Sequence, residues 1–361
     1  MYRDLSAEEL AARLGTNDVP LVLDVRERDE FATWSTPSAL NIPIGELEAK
    51  IGELPHGREV VTVCASGSRS SAAAAALARA GWHVANLAGG MPAWGAVYDS
   101  VTLELAGVTV VQVRRRGKGC LSYLIGADGE AFVIDPSLAL DLYRELAAEH
   151  EWRIARVFDT HLHADHVSGA RALAEAVGAS LHLNPADDFA FAYERLADGD
   201  RFELSGGEHF GVAALHTPGH TRGSTVYFVA DRAVLTGDTL LVDGVGRPDL
   251  AERAVEFARN LYHSLKEKVL VLPEDALVLP AHYGDAVVVR PDEPVGARLA
   301  TLRSQLAPLS LPEEEFVAWA TERSTPRPPN YAAIIRANAA GSELPPSVLS
   351  RLELGPNRCS A

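Results

Sequence analysis

The chain has 361 residues, enough at roughly 100–200 residues per domain for two domains or three. Hydrophobic residues make up 47% and charged residues 23%, the balance of a globular protein that buries full cores without staples. Against 33 basic residues stand 49 acidic ones, a net charge of −16, which argues against binding to nucleic acid or to an anionic membrane surface. Three cysteines, Cys64, Cys120 and Cys359, make no disulfide framework. The opening MYRDLSAEEL has no apolar signal-like core, and no apolar run reaches the ~20 residues of a membrane span, so a reducing cytoplasm is the expected compartment.

Taken in chain order, Ser6 and Glu9 form a capping box at the start of a helix. PLVLDVR (20–26) and EVVTVC (59–64) read as short buried strands. SSAAAAALARAGW (70–82) is a strong helix former stopped at Gly81, and HVANLAGG (83–90) is a further strand. Apolar strands alternating with helices predict a parallel sheet covered on both faces. Near residue 102 the style changes to glycine-punctuated alternating strands, with FVIDP (132–136) ending one of them, and helix SLALDLYRELAAEH (137–150) and strand RIARVFDT (153–160) follow. The expected division is 1–97, a linker at 98–104, a second domain over 105–290, and a helical, proline-rich extension over 291–361 packed on it. Arg114, Arg115 and Arg116 read as a solvated strand end, Cys120 as strand core, and the tail GPNRCSA as frayed with Cys359 an idle thiol.

CASGSRSS follows a buried strand and opens a helix. A thiol at Cys64 would lie over unpaired backbone N–H groups, and the helix dipole and Arg69 would both favour its thiolate. Gly67 lets the loop curl so that several amides face one atom, a nest able to cradle a persulfide's outer sulfur. Four residues separate Cys64 from Arg69. With LVLDVRERDEF (21–31), ALNIPIGEL (39–47) and NLAGGMPAW (86–94), this segment resembles the rhodanese sulfurtransferases, in which Cys64 would be the nucleophile and Asp24 and Arg26 structural supports. The related phosphatases carry five intervening residues, so the shorter loop favours sulfur. TWSTPSAL (33–40) departs from the family's usual turn.

HLHADH places His161, His163, Asp165 and His166 directly after an apolar strand. His220 in TPGH, Asp238 in TGD and His282 in LPAHYGD each follow a similar run. Imidazoles and carboxylates gathered from several strand ends make a metal site. The pattern resembles the metallo-β-lactamase superfamily over roughly 105–290 and implies an αββα sandwich after the rhodanese-like α/β domain. Within that superfamily, TGDTLLVDGVGRPDL (236–250) and the rhodanese partner resemble the persulfide dioxygenases. That resemblance implies one Fe(2+) held by His161, His220 and Asp238, with three positions left for water, persulfide and O2. His163 would lie beside the ion, Arg247 would contact the substrate carboxylate or support its pocket, and Asp249 would hold the arginine. The expected reaction is oxidation of a thiol persulfide such as glutathione persulfide to sulfite, coupled to sulfane-sulfur transfer from donors such as thiosulfate through Cys64. A homodimer is compatible with this reading. Two alternatives stay open. Asp165, His166 and His282 would complete a second site in a glyoxalase II-like thioester hydrolase with two Zn(2+) ions, or the chain would be a non-enzymatic sulfur carrier or sensor.

Overall fold

The computed structural model describes residues 1–361 apart from 205–210, 251–252, 324–326, 328–329, 342–343, 356, 358 and 360–361. Most of the proline-rich turn expected before residue 330 therefore lies outside the described residues.

The N-terminal strands form one parallel sheet in the order Arg3–Leu5, Val84–Leu87, Val60–Val63, Leu21–Asp24, Leu40–Asn41. Side chains alternate along a strand, and the sheet buries both faces. Val61 and Val63 pack with Leu10 and Trp94 on one side. Val60 and Cys64 pack with Ala73, Ala74 and Leu77 of helix Ser68–Arg79 on the other. The same alternation that fills the core delivers Cys64 to the start of that helix.

Two further sheets stack face to face. The first holds seven strands, from Tyr98–Leu105 at one edge through Val108–Arg115, Cys120–Ala127, Glu130–Ile134, Arg153–Phe158 and Ser180–Leu183 to Glu194–Arg195. The second holds six, running Arg201–Glu203, Gly211–His216, Thr225–Val229, Ala233–Gly237, Leu277–Pro280, Ala297–Arg298. Ile125, Phe132 and Phe158 meet Tyr227, Leu235 and Leu279 between them. Helices Leu140–Glu149 and Ala170–Val177 cover the first sheet through Tyr143 and Leu173. Helices Ala254–Ser264, Leu299–Gln305 and Glu313–Glu322 cover the second through Leu261, Leu302 and Phe316. This is the αββα sandwich.

Four sequence expectations change. The linker at 98–104 is an edge strand, paired antiparallel along its whole length from Tyr98↔Arg115 to Leu105↔Val108. Alternating half-exposed residues hid it, because only one face of an edge strand is buried. The extension does not begin cleanly at 291, since Ala297–Arg298 pairs with Leu277–Pro280 inside the second sheet. The arginine triplet is not solvated. Arg114 and Arg116 share Asp99, and Arg114 also donates to the carbonyls of Arg290, Pro291 and Glu293. Arg115 pairs with Glu353 and donates to Gly95 O of the N-terminal domain at 2.9 Å. Lastly, the described residues of the tail are tied down. Asn357 Nδ2 donates to Lys118 O at 2.7 Å, and Cys359 is 3% exposed.

Candidate functional site

The residues expected to carry chemistry fall into two groupings. At the first, Cys64 is fully buried, and the N–H groups of Gly67 and Ser70 each donate to its sulfur at 3.2 Å. Gly67 has φ 92°, a left-handed conformation that turns its amide back toward the thiol and that side chains disfavour. Burial works against the thiolate, but hydrogen bonds from Ser70, Ser66 and Gly67 outweigh it, so the thiol pKa falls below its ordinary value. Arg69 takes a different place from the one expected. Its two terminal nitrogens bind Glu30 at 2.6 and 2.7 Å, so the backbone, with the arginine only nearby, is what holds the sulfur. Asp24 and Arg26 form a buried bidentate pair that also ties down Trp34 O.

The second grouping lies at the strand ends shared by the two stacked sheets. The facing atoms of His161, His220 and Asp238 all lie within 4.8 Å of one another. His161 Nε2 is 3.6 Å and His220 Nε2 is 3.4 Å from Asp238 Oδ2. All three atoms are buried without a hydrogen-bond partner. Each ring is oriented from behind. His220 Nδ1–H donates to Arg247 O at 2.9 Å, which leaves Nε2 bare. Thr160 Oγ1 donates to Asp135 Oδ2 at 2.9 Å and accepts from His161 Nδ1 at 2.8 Å, with the same result. Burial, with His163 second, depresses His161 well below the usual imidazole value, and burial also depresses His220. For Asp238 burial favours the neutral acid, yet His282 beside it holds the carboxylate ionised. Two bare neutral imidazoles and one carboxylate, aimed at one point out of water, are a donor set that fits a divalent transition-metal ion.

The glycines of the TGD and GVGR strings are explained by crowding here. A Cβ on Gly237 would sit 2.7 Å from Thr160 Oγ1, and one on Gly246 would sit 1.9 Å from Asp238 O.

The remaining predicted residues fall around this triad. His163 turns away, giving Nε2 to Asp135 Oδ1 at 3.0 Å. Asp165, His166 and His282 cluster with Cys120. Cys120 Sγ donates to Asp165 Oδ2 at 3.2 Å, His166 Nδ1 lies 3.1 Å from Asp165 Oδ1, and His282 Nε2 lies 3.0 Å from Asp165 Oδ2. Burial opposes a charge on His166, but Asp165 and Cys120 raise it to about 10. His282 Nδ1 meets Asp238 Oδ1 at 2.6 Å, which joins this cluster to the triad. Arg247 is buried and bound to Asp249 at 2.6 and 2.8 Å.

Sequence reasoning missed three participants. Asp135 has φ 55° and binds Thr160 and His163 together. Its signal was present in FVIDP, a carboxylate between a buried strand and a proline. Asn338 Nδ2 donates to the carbonyls of His163 and His166 at 2.9 Å and braces the HLHADH loop from helix Tyr331–Ala340. Cys359 lies against Asp238 and His282.

Residues 6–97 match the model for rhodanese-like domains and residues 115–282 match the metallo-β-lactamase superfamily. The fold and the ligand cluster thus define a metallo-β-lactamase-superfamily enzyme joined to a rhodanese-like domain. Among curated relatives, mitochondrial persulfide dioxygenase ETHE1 of Bos taurus is 32% identical over 236 residues, covering 64% of this chain and 88% of that protein. A hydroxyacylglutathione hydrolase of Rhizobium etli is 38% identical over 141 residues, covering 38% of this chain and 52% of that protein. Among solved structures, ETHE1 from Myxococcus xanthus superposes with a TM-score of 0.56 at 29% identity, covering 68% of this chain and all of that one. The chain belongs to the persulfide dioxygenase ETHE1 family. Among the described residues no helix is long and apolar enough to cross a membrane.

Proposed function

We propose that this chain oxidises a low-molecular-weight thiol persulfide, such as glutathione persulfide, with O2 and water to sulfite and free thiol at one Fe(2+), and that Cys64 carries sulfane sulfur for it in the cytoplasm. The observation that carries the reading is the convergence of three bare, buried donor atoms, His161 Nε2, His220 Nε2 and Asp238 Oδ2. Bound by this triad, iron would supply open coordination positions and the chemistry that activates oxygen. The chain's own groups do the rest. Arg247 O and the Thr160–Asp135 pair fix which nitrogen of each histidine is free. Arg247, held by Asp249, places a carboxylate of the substrate. The buried walls keep bulk water from the reacting sulfur.

In the rhodanese-like domain the Cys64 thiolate attacks the outer sulfur of a donor such as thiosulfate. The donor's S–S bond breaks, sulfite leaves with the electron pair, and the sulfur stays as a cysteine persulfide facing the Gly67 and Ser70 amides. A thiol or cyanide acceptor takes the sulfur by the reverse displacement.

An oxygen electrode tests the first reaction. Iron-loaded protein with glutathione persulfide should consume one O2 per sulfite formed, with one iron per chain. Two zinc ions per chain and hydrolysis of S-lactoylglutathione would sink the reading. That rival rests on a specific observation, the second cluster at Asp165, His166 and His282. His282 Nε2 is without a hydrogen-bond partner there too, but Cys120 and His166 already bond to Asp165, whereas all three facing atoms of the triad are unpartnered.

A further inference from the structure

One carboxylate ties together the two loops that carry the imidazole donors. Asp187 lies in the loop after strand Ser180–Leu183 and is 6% exposed. Its Oδ2 accepts from Leu162 N–H at 2.9 Å and from Thr221 Oγ1–H at 2.8 Å, and its Oδ1 accepts from Gly223 N–H at 2.8 Å. Leu162 directly follows His161, and Thr221 directly follows His220. The His161 loop leaves strand Arg153–Phe158 of the first sheet, whereas the His220 loop joins strands Gly211–His216 and Thr225–Val229 of the second. A single side chain therefore holds the residue beside each ligand, one from either sheet. The two ring centres stand 4.9 Å apart, with the ring planes at 85°. The clamp is itself held, since Asp187 N–H donates to Asn184 O at 3.2 Å and Asn184 Nδ2 donates to Thr225 Oγ1 at 3.1 Å. The fit is close. A Cβ on Gly223 would sit 2.6 Å from Asp187 Cγ and 2.7 Å from its Oδ2. A carboxylate suits this place because both of its oxygens accept and neither donates. An amide would turn an N–H against the N–H of Gly223 or against the Leu162 and Thr221 donors.

We propose that Asp187 is a positioning residue that sets the separation of His161 and His220, and through it the fit of an ion between them and Asp238. It acts through the backbone of the two loops and not by contact with the ion or the substrate. Metal–ligand distances hold to about 0.2 Å, so a small drift of either loop is felt at the ion. The inference rests on the metal triad of the function proposed above but not on its reaction.

Cobalt(II) bound to the full-length protein reads this, because its visible bands respond to ligand geometry. Asp187→Asn should weaken Co(II) binding about tenfold in competition with a chelator. It should also change the position or intensity of the visible bands when the site is saturated with Co(II). Gly223→Ala keeps the charge but crowds the carboxylate, and it should alter the bands as well. Thr221→Val removes one of the three donors and should cost less affinity than Asp187→Asn. Thermal melting of the metal-free variants separates this role from support of the fold alone. A lowered melting temperature with the saturated bands of both Asp187→Asn and Gly223→Ala unchanged overturns the proposal. Should Asp187→Asn fail to fold, the other two variants decide, and unchanged bands in Gly223→Ala with unchanged affinity in Thr221→Val overturn it. If the bands and affinities move as expected and the unsubstituted iron protein does not oxidise persulfide, the role of Asp187 stands and the reaction assignment falls.

Discussion

At Cys64 the groups that hold the sulfur are the amides of Gly67 and Ser70, all within one turn of chain. At the metal centre the donors come from His161, His220 and Asp238, each at the end of a different strand run, and each is tied to a residue far along the chain: His161 through Thr160 to Asp135, His220 to Arg247 and Asp238 to His282. The first site is a property of a loop and the start of one helix. The second exists only when two sheets and their connecting loops have packed. The sulfur loop should therefore tolerate distant changes, while the metal centre should respond to substitutions that never touch the ion.

The largest effect expected is separation of the two activities. Asp238→Ala or His161→Ala should lower iron content and persulfide-dependent O2 uptake by more than ~100-fold, beyond the cost of losing an outer partner of a ligand. Thiosulfate–cyanide sulfur transfer should be unchanged in the same proteins. Conversely, Cys64→Ser should abolish that transfer and leave O2 uptake with added glutathione persulfide intact. If either substitution removes both activities from folded protein, the two centres are not independent.

A smaller effect tests remote bracing. Asp135→Asn keeps a residue type that tolerates the left-handed backbone but removes the charge that binds Thr160 and His163. Iron affinity should fall about 10- to 100-fold by competition with a chelator. An unchanged affinity would mean that His161 is oriented without Asp135.

The pH dependence of Cys64 follows from its depressed pKa. The thiolate is present above the folded-state pKa and is lost as pH falls through it. Alkylation by iodoacetamide should show a midpoint below that of an ordinary thiol, ~8.5. A midpoint at or above that value would show that the amide nest does not stabilise the charge.

The smallest effect belongs to Glu30 and Arg69. Arg69 lowers the Glu30 carboxyl to about 2. Because the folded pKa is depressed, this stability is present above the ordinary carboxylate value and fades as pH falls toward about 2. Both side chains are one-third exposed, so screening limits the pair to under about 1 kcal/mol. Glu30→Gln should shift the urea midpoint only slightly at pH 7 and not at all near pH 2.

Legibility in the sequence followed the same division. CASGSRSS and HLHADH were readable because each packs its chemistry into a short string after an apolar strand. His220, Asp238 and His282 were readable because each repeats that setting. Asp135, Asn338 and Cys359 were not, because their roles depend on which loops meet across the sandwich, and nothing local marks that. The Arg69–Glu30 pair was hidden for the same reason, since its partner lies on helix Arg28–Thr33. The edge strand Tyr98–Leu105 passed for a linker because burial on one face leaves a weak pattern.

The turn that follows strand Val108–Arg115 touches everything at once. Arg116 N–H donates to Val97 O at 3.0 Å, and Trp34 Nε1 of the rhodanese-like domain donates to Gly117 O at 2.8 Å. A Cβ on Gly117 would sit 2.2 Å from Trp94 O, and the next residues, Lys118 and Gly119, offer the carbonyls that anchor Asn357. Cys120 then enters the ligand cluster. Splitting the gene after codon 97 to obtain two separate proteins would thus leave a raw seam, with Trp34 stripped of its acceptor on one piece and the turn beside the ligands unsupported on the other. Dissecting this fusion calls for point substitutions in the intact polypeptide rather than scissors.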